Sequence, residues 1–123
     1  MAAPTQTRRI VGVVAILTMG LIHLWMARDA FGNATYEGLL FVANGIGALV
    51  AAVGVMRDRA GWGWLLGALI AGGALLAYVI SRTVGLPGLP AEPDAWLEPL
   101  GVVSVVAELV FLFTAARRSL GEM

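Results

Sequence analysis

Four long apolar blocks, separated by short polar stretches, make up most of the chain. They cover residues 10–27, 38–56, 62–81 and 97–116, without the period-two alternation of a half-buried strand or the heptad spacing of a coiled coil. About 20 apolar residues in a helix cross a hydrocarbon core of roughly 30 Å, and helices suit lipid because their backbone polar groups pair internally. The pattern predicts an all-α polytopic membrane protein, a four-transmembrane-helix bundle in a single domain.

Composition places the chain in a lipid bilayer. Hydrophobic residues make up 59% of it and charged residues 13%, whereas soluble domains have about 45 to 50% and about 25%. The formal net charge is zero, so the basic surface that nucleic-acid binding needs is missing and we expect no nucleic-acid partner. The absence of cysteine excludes disulfides, thiolate metal sites and cysteine nucleophiles.

The arginines predict the orientation of the helices, because positively charged flanks resist translocation and stay in the cytoplasm. Both ends of the chain and the second connection carry two arginines each, and the first and third connections carry one each. The inner set is Arg8, Arg9, Arg57, Arg59, Arg117 and Arg118, and the outer set is Arg28 and Arg82. We expect both termini in the cytoplasm. The paired arginines near the start are similar to a twin-arginine signal, but no small-residue cleavage site follows the apolar run.

Small residues recur at four-residue spacing on the second and third helices. The two ladders are Ala43, Gly47 and Ala51, and Gly63, Gly67 and Ala71. Helices in lipid approach closely where side chains are small, so the ladders predict packing seams, with Gly67 at a close helix contact. They also lead us to expect a homo-oligomer. The alternative is a glycine-lined permeation path.

Among the polar residues of the sequence, Glu108 is the strongest candidate for a functional residue. It lies near the middle of the fourth helix, and ionisable side chains at that depth are costly and usually face the bundle interior. Glu98 lies on the same helical stripe, which runs from the outer surface towards Glu108. The structural alternative for Glu108 is a neutral or hydrogen-bonded glutamate that holds helices together. For Glu98 and Glu37 the alternative is an acid in a first helical turn, which complements the helix dipole.

Arg82 ends the third helix on the outer side, close to where the fourth helix begins. Its five N–H donors are enough to bind a carboxylate and still donate hydrogen bonds to an anionic ligand. We expect a direct Arg82 to Glu98 contact and only an indirect connection to Glu108, roughly 15 Å deeper along the helix, with His23 lining the same outer cavity. The Pro- and Gly-rich connection at 84–93 is either a functional loop or an inert linker. The candidate ligand-binding set is His23, Glu37, Asn44, Arg82, Glu98 and Glu108.

His23 shares one face of the first helix with Met19 and Met26. An imidazole with two thioethers suits cuprous copper or, with a second axial ligand, haem. Methionine at helical spacing is also ordinary packing, so the sequence leaves copper, haem and packing open, and we assign neither a metal site nor a cofactor. Catalytic residues stay unassigned as well, because no phosphate loop, nucleophile elbow or zinc motif is found.

Four stretches of the sequence carry a resemblance to known proteins: Ile22-His23-Leu24, Tyr36-Glu37-Gly38-Leu39-Leu40-Phe41, Ser81-Arg82-Thr83-Val84-Gly85-Leu86-Pro87-Gly88 and Trp96-Leu97-Glu98-Pro99-Leu100-Gly101. They resemble a family of small, uncharacterised four-helix membrane proteins of high-GC bacteria. The resemblance covers nearly the whole chain and implies a plasma-membrane location, without implying an activity. A second histidine often follows the first in that family, in a Pro-Glu-His element, but this chain has Ala27-Arg28-Asp29-Ala30-Phe31 instead.

Three functional hypotheses follow. The leading one is a plasma-membrane protein that binds or transports a small ligand or ion through an outward-facing polar site. The second is a membrane-embedded enzyme that uses His23 or Glu108 as general acid or base on a lipid-soluble substrate. The third is a structural or accessory subunit whose polar residues only fix helix packing. A transporter needs a permeation path or a rocking element, an enzyme needs a closed pocket with an acid and a base within hydrogen-bond reach, and a scaffold needs neither.

Overall fold

The computed structural model describes residues 5–57 and 61–121. These ranges contain four long helices, α1 (Thr5–Asn33), α2 (Thr35–Arg57), α3 (Trp62–Thr83) and α4 (Pro99–Gly121), and a short 3-10 helix (Pro93–Ala95) before α4. All four long helices have the length and apolarity needed to cross a membrane. The prediction of an all-helical chain with four such segments is therefore confirmed.

Each helix extends beyond at least one end of the apolar block that predicted it, although α4 begins two residues later than its block. The largest difference is in α1, which runs from Thr5 to Asn33 where the apolar block covered 10–27. Hydropathy marks the part of a helix that suits hydrocarbon, whereas backbone hydrogen bonding continues through the polar flanks. The first connection is consequently reduced to Ala34, whose N–H still donates to the carbonyl of Ala30 at 3.0 Å. Arg59 of the second connection lies outside the described residues.

The four helices form an antiparallel ring in which each one packs against the next and α4 returns to α1. On α1 and α2, Gly20 faces Ala48, as antiparallel neighbours do. The pairs α2–α3 and α3–α4 are also antiparallel neighbours that pack side by side. We call the end with Ala34 and residues 84–92 the loop end, and the opposite end the terminal end. In the described ranges, the backbones of the diagonal pair α2 and α4 do not approach each other.

The small-residue ladder on α3 packs as predicted. Gly63, Gly67 and Ala71 are all buried, and a Cβ added to Gly67 would overlap the ring of Phe111, which confirms the close contact predicted there. A Cβ on Gly63 would overlap the backbone of Gly54. This seam is filled by helices of the same chain, so it gives no argument for contacts between copies, and the homo-oligomer stays a prediction.

The ladder on α2 was partly wrong. Ala51 is buried and Gly47 faces the side chain of Ile70, but Ala43 is exposed and borders a cavity. The physical reason is that α2 turns a different set of small residues towards α1, with Gly45 against Leu24 and Ala48 against Gly20.

The hydrophobic core fills the terminal half of the bundle. Its largest fully buried side chains are Ile16, Met19, Val55 and Phe111, and Trp64 stacks on Phe111 with 5.4 Å between ring centroids. Gly12 of α1 lies under the Trp64 ring, so even the diagonal helices α1 and α3 meet there. Towards the loop end this packing gives way to an internal space.

Candidate ligand-binding cavity

A cavity of about 450 Å³ occupies the loop half of the bundle, enclosed by all four helices and by the third connection. All six residues of the predicted site border it: His23, Glu37, Asn44, Arg82, Glu98 and Glu108. Side chains from Ile22, Leu40, Phe41, Leu69, Ile70, Ala74 and Ala77 make much of the wall apolar. The cavity is thus an apolar space with polar groups at a few positions, as small-molecule sites commonly are.

Glu108 forms the floor of the cavity. It is only 2% exposed and precedes the buried Phe111 by about one turn on the same helix face. The hydroxyl of Ser104 donates to its Oε2 at 2.6 Å, whereas its Oε1 has no partner among the described residues. Buried polar atoms are nearly always hydrogen-bonded in folded proteins, so the missing partner of Oε1 needs an explanation.

Asn44 provides a second unmatched acceptor on the facing helix. Its Nδ2 lies 3.9 Å from the sulfur of Met19, in donor geometry, but its Oδ1 is buried and has no partner in the described part of the chain. Asn44 is on α2 and Glu108 is on α4, the diagonal pair that the cavity separates. The two residues therefore border one space from different helices, and each has one buried oxygen that lacks a donor.

His23 presents an acceptor to the same cavity. Its Nδ1 lies 2.9 Å from the Met19 carbonyl, and because a carbonyl only accepts, Nδ1 must carry the hydrogen and donate. Nε2 is then an acceptor in the neutral ring, and no bond to it is found in residues 5–57 and 61–121. The ring centroid lies 5.0 Å from that of Phe41.

The methionine partners that the sequence suggested for His23 do not converge with it. Met19 is fully buried and its sulfur lies against Asn44, whereas Met26 borders the cavity beside His23. Among the described residues, no group of three or more His, Asp or Glu side chains is arranged to hold a metal ion. The copper and haem interpretations consequently lose the Met19 ligand, and packing explains that residue.

The predicted ion pair between Arg82 and Glu98 was wrong for the described chain. The carboxylate of Glu98 accepts the backbone N–H groups of Leu100 at 3.2 Å and Gly101 at 2.6 Å. It therefore caps α4, which begins at the next residue, and the helix-dipole alternative holds for this side chain. The backbone donors lie within two or three residues of Glu98, whereas Arg82 must reach it from another helix.

Arg82 is held by neutral partners instead. Its Nε and Nη2 each donate to the Ala95 carbonyl at 3.3 Å, and its Nη1 donates to the Ser81 hydroxyl at 2.8 Å. The guanidinium carbon lies 3.8 Å from the centroid of the Tyr78 ring, a cation–π contact. The group is oriented at the cavity rim and keeps unused N–H donors.

The third connection covers the loop end of the cavity. Leu86 to Leu89 form a turn in which the Leu89 N–H donates to the Leu86 carbonyl at 2.9 Å, and Gly88 supplies the positive φ of +73° that a Pro-Gly turn of type II requires. The Tyr36 hydroxyl donates to the Pro87 carbonyl and ties the turn to α2. Leu86, Leu89 and Pro90 border the cavity, so this connection is part of the cavity wall.

Glu37 occupies the rim near this turn, where its Oε1 accepts a long hydrogen bond of 3.5 Å from Asn33. The sequence prediction missed five further polar or aromatic cavity residues, Phe41, Tyr78, Ser81, Glu92 and Ser104. Two of them carried a usable signal: Tyr78 and Ser104 each lie four residues before a predicted site residue, Arg82 and Glu108, and so share its helix face. The other three gave no comparable signal.

The fold and the cavity together define a class, an all-helical four-helix bundle with membrane-compatible helices and a partly polar internal space at one end. No family model, curated protein or solved structure matches the chain. The function therefore has to be argued from the cavity itself.

Proposed function

We propose that the chain is a multi-pass plasma-membrane protein, with both termini in the cytoplasm, that binds or transports a small ligand or ion through this cavity. The observation that supports it best is that two residues lining one cavity, Glu108 and Asn44, each keep a buried oxygen without a partner in the described chain. The cavity volume of about 450 Å³ falls in the range of small-molecule sites, about 300 to 1,000 Å³.

A purely structural role fits Glu108 poorly. Its one hydrogen bond goes to Ser104 on the same helix, so the side chain does not join α4 to a neighbour. A buried acceptor without a partner costs about 1 to 3 kcal/mol, and a scaffold gains nothing in return. A binding site does, because a ligand that supplies the missing donor recovers this energy.

Catalysis by His23 and Glu108 has less support than binding. The two side chains are hydrogen-bonded to Met19 and to Ser104, and not to each other. An acid and base that act on one substrate need to reach the same reacting atoms, and no bond in the described chain links these two groups.

The orientation of the cavity follows from the arginine distribution. The terminal end carries the paired arginines and would face the cytoplasm, which places the loop end and the cavity on the outer side. The packed layer of Ile16, Val55, Trp64 and Phe111 closes the cytoplasmic side. Binding from outside requires entry past the third connection, and transport requires the packed layer to open as well.

Two adjacent glycines on α3 allow a matched test of the cavity. A Cβ added to Gly72 or Gly73 meets no atom within 4 Å, but only Gly73 borders the cavity. Gly73→Phe should therefore fill the cavity, and Gly72→Phe should place the same ring elsewhere. Wild type and both variants would be purified in lipid nanodiscs from native membranes, and bound small molecules would be extracted and quantified by mass spectrometry.

We expect one molecule to co-purify at near-stoichiometric amounts with the wild type and with Gly72→Phe, and to be lost from Gly73→Phe. Thermal melting of both variants shows that each is folded. Equal amounts on the two variants, or no bound molecule on any folded protein, would overturn the proposal.

A further inference from the structure

We infer that the cavity takes an amphipathic amine, a small organic cation with at least one N–H and a compact apolar body, whose ammonium binds at Glu108. This inference rests on the proposed function and specifies its ligand. It combines four features of the cavity: the orphaned acceptors, the apolar wall, the charge of the lining and the exposed side chains on α2 and α3.

The unpartnered groups on the deep walls are all acceptors. Glu108 Oε1 and Asn44 Oδ1 are buried without a donor, and Nε2 of His23 is an acceptor in the tautomer that its Nδ1 bond requires. The Ser104 hydroxyl has already given its hydrogen to Glu108. A ligand that complements this set has to bring donors, which an ammonium group does.

The charge of the lining favours a cation. Four carboxylic side chains border the cavity against one arginine: Glu37, Glu92, Glu98 and Glu108 against Arg82. Glu98 is satisfied by the N-terminus of α4, but Glu108 has no basic partner in the described chain. A carboxylate in apolar surroundings gains more from a cation than one in water does, because the local dielectric is low.

The apolar wall argues against a bare metal ion. Hard cations such as Ca²⁺ take six or more oxygen ligands, whereas the deep part of this cavity offers the carboxylate of Glu108, Asn44 and the Ser104 hydroxyl among side chains such as Phe41 and Ile70. An apolar body attached to the ammonium would bury its surface against that wall, and hydrophobic burial contributes about 25 cal/mol per Å².

Two leucines of the cavity wall, on α2 and α3, are also largely exposed. Leu40 and Leu69 both border the cavity and are 60% and 66% exposed. A lipophilic amine partitions into the bilayer with its apolar body, and these exposed leucines give it an apolar surface to contact at the edge of the cavity.

Three compounds with a similar apolar body and different head groups show whether the cavity prefers a cation, a neutral group or an anion: phenylbutylamine, phenylbutanol and phenylbutyrate. Their affinities would be measured by calorimetric titration of the full chain in neutral-lipid nanodiscs, with empty nanodiscs as the blank. The proteins would be the wild type, Glu108→Gln, Gly73→Phe and Asp94→Asn. Asp94 is exposed at the same end of the bundle and does not border the cavity, so it controls for loss of one negative charge.

We expect the wild type and Asp94→Asn to bind the amine about tenfold or more tightly than the alcohol, the scale of a buried charged hydrogen bond. Glu108→Gln should lower the affinity for the amine to that for the alcohol, and Gly73→Phe should abolish the binding of both compounds.

Equal binding of the three compounds, with all binding blocked by Gly73→Phe, would overturn the amine inference and leave the proposed cavity function standing. Tightest binding of phenylbutyrate would also overturn it, in favour of an anion at Arg82. Binding that Gly73→Phe does not change would overturn the function and the inference together.

Discussion

Glu108 shows at the scale of one residue how burial and hydrogen bonding can disagree. The side chain is almost completely buried, yet one of its oxygens has no partner in the described structure. Thr114, on the same helix, is buried too but satisfies itself by donating to the Val110 carbonyl at 2.7 Å. The contrast is the reason for proposing that Glu108 contacts a ligand, whereas the hydrogen bond of Thr114 is satisfied within its own helix.

Glu108→Leu should stabilise the ligand-free protein. The substitution removes an unsatisfied buried acceptor, and relief of that penalty is worth about 1 to 3 kcal/mol, so the melting temperature in detergent should rise. Thr114→Val, which replaces a buried polar group that is already satisfied, is the control and should change it little. A lower melting temperature for Glu108→Leu would show that the glutamate stabilises the bundle and would support the scaffold hypothesis.

Arg82 and Glu98 show what the sequence could not predict at this scale. Their proximity was predictable, because α3 ends close to where α4 begins. Both side chains do lie against Gly101: a Cβ added to this glycine would lie 3.4 Å from Nη2 of Arg82 and 3.0 Å from Oε2 of Glu98. Whether the two side chains pair with each other was not predictable, because that depends on the residue at which α4 starts. The helix begins at Pro99, which makes Glu98 the capping residue and commits its carboxylate to backbone donors.

Helix packing is the scale at which small residues matter most in this bundle. Gly67→Leu should lower thermal stability, because a side chain there would overlap the fully buried ring of Phe111, and overpacking costs about 1 to 3 kcal/mol. Gly72→Leu is the matched control, since it adds the same side chain to the same helix where no atom lies within 4 Å. Equal melting temperatures for the two variants would contradict this account of the α3 seam.

The helices themselves were predictable from the apolar blocks, because each block alone is long enough to cross hydrocarbon. Their ends and the faces they bury were less so. The α3 ladder was right because its glycines meet rigid neighbours, the Phe111 ring and the Gly54 backbone. The α2 ladder failed at Ala43, because a helix can carry two sets of small residues and the spacing does not tell which set meets a neighbour.

The orientation of the whole molecule can be tested by labelling, since the chain has no cysteine of its own. In intact cells, an impermeant thiol reagent should modify Glu92→Cys at the loop end and leave Asp58→Cys unmodified until the membrane is opened. The reason is that positively charged flanks resist translocation, so the paired arginines should keep the terminal end in the cytoplasm. Modification of Asp58→Cys in intact cells, with Glu92→Cys protected, would reverse the topology.

The most direct test of a ligand-binding cavity is a crystal structure of the protein purified from its own membranes. We expect non-protein density between Arg82 and Glu108 that contacts Oε1 of Glu108. This density should be present in Gly72→Phe and absent in Gly73→Phe. A structure in which α2 and α4 close on each other, or in which another side chain of the protein donates to Oε1 of Glu108, would contradict the proposed ligand-binding cavity.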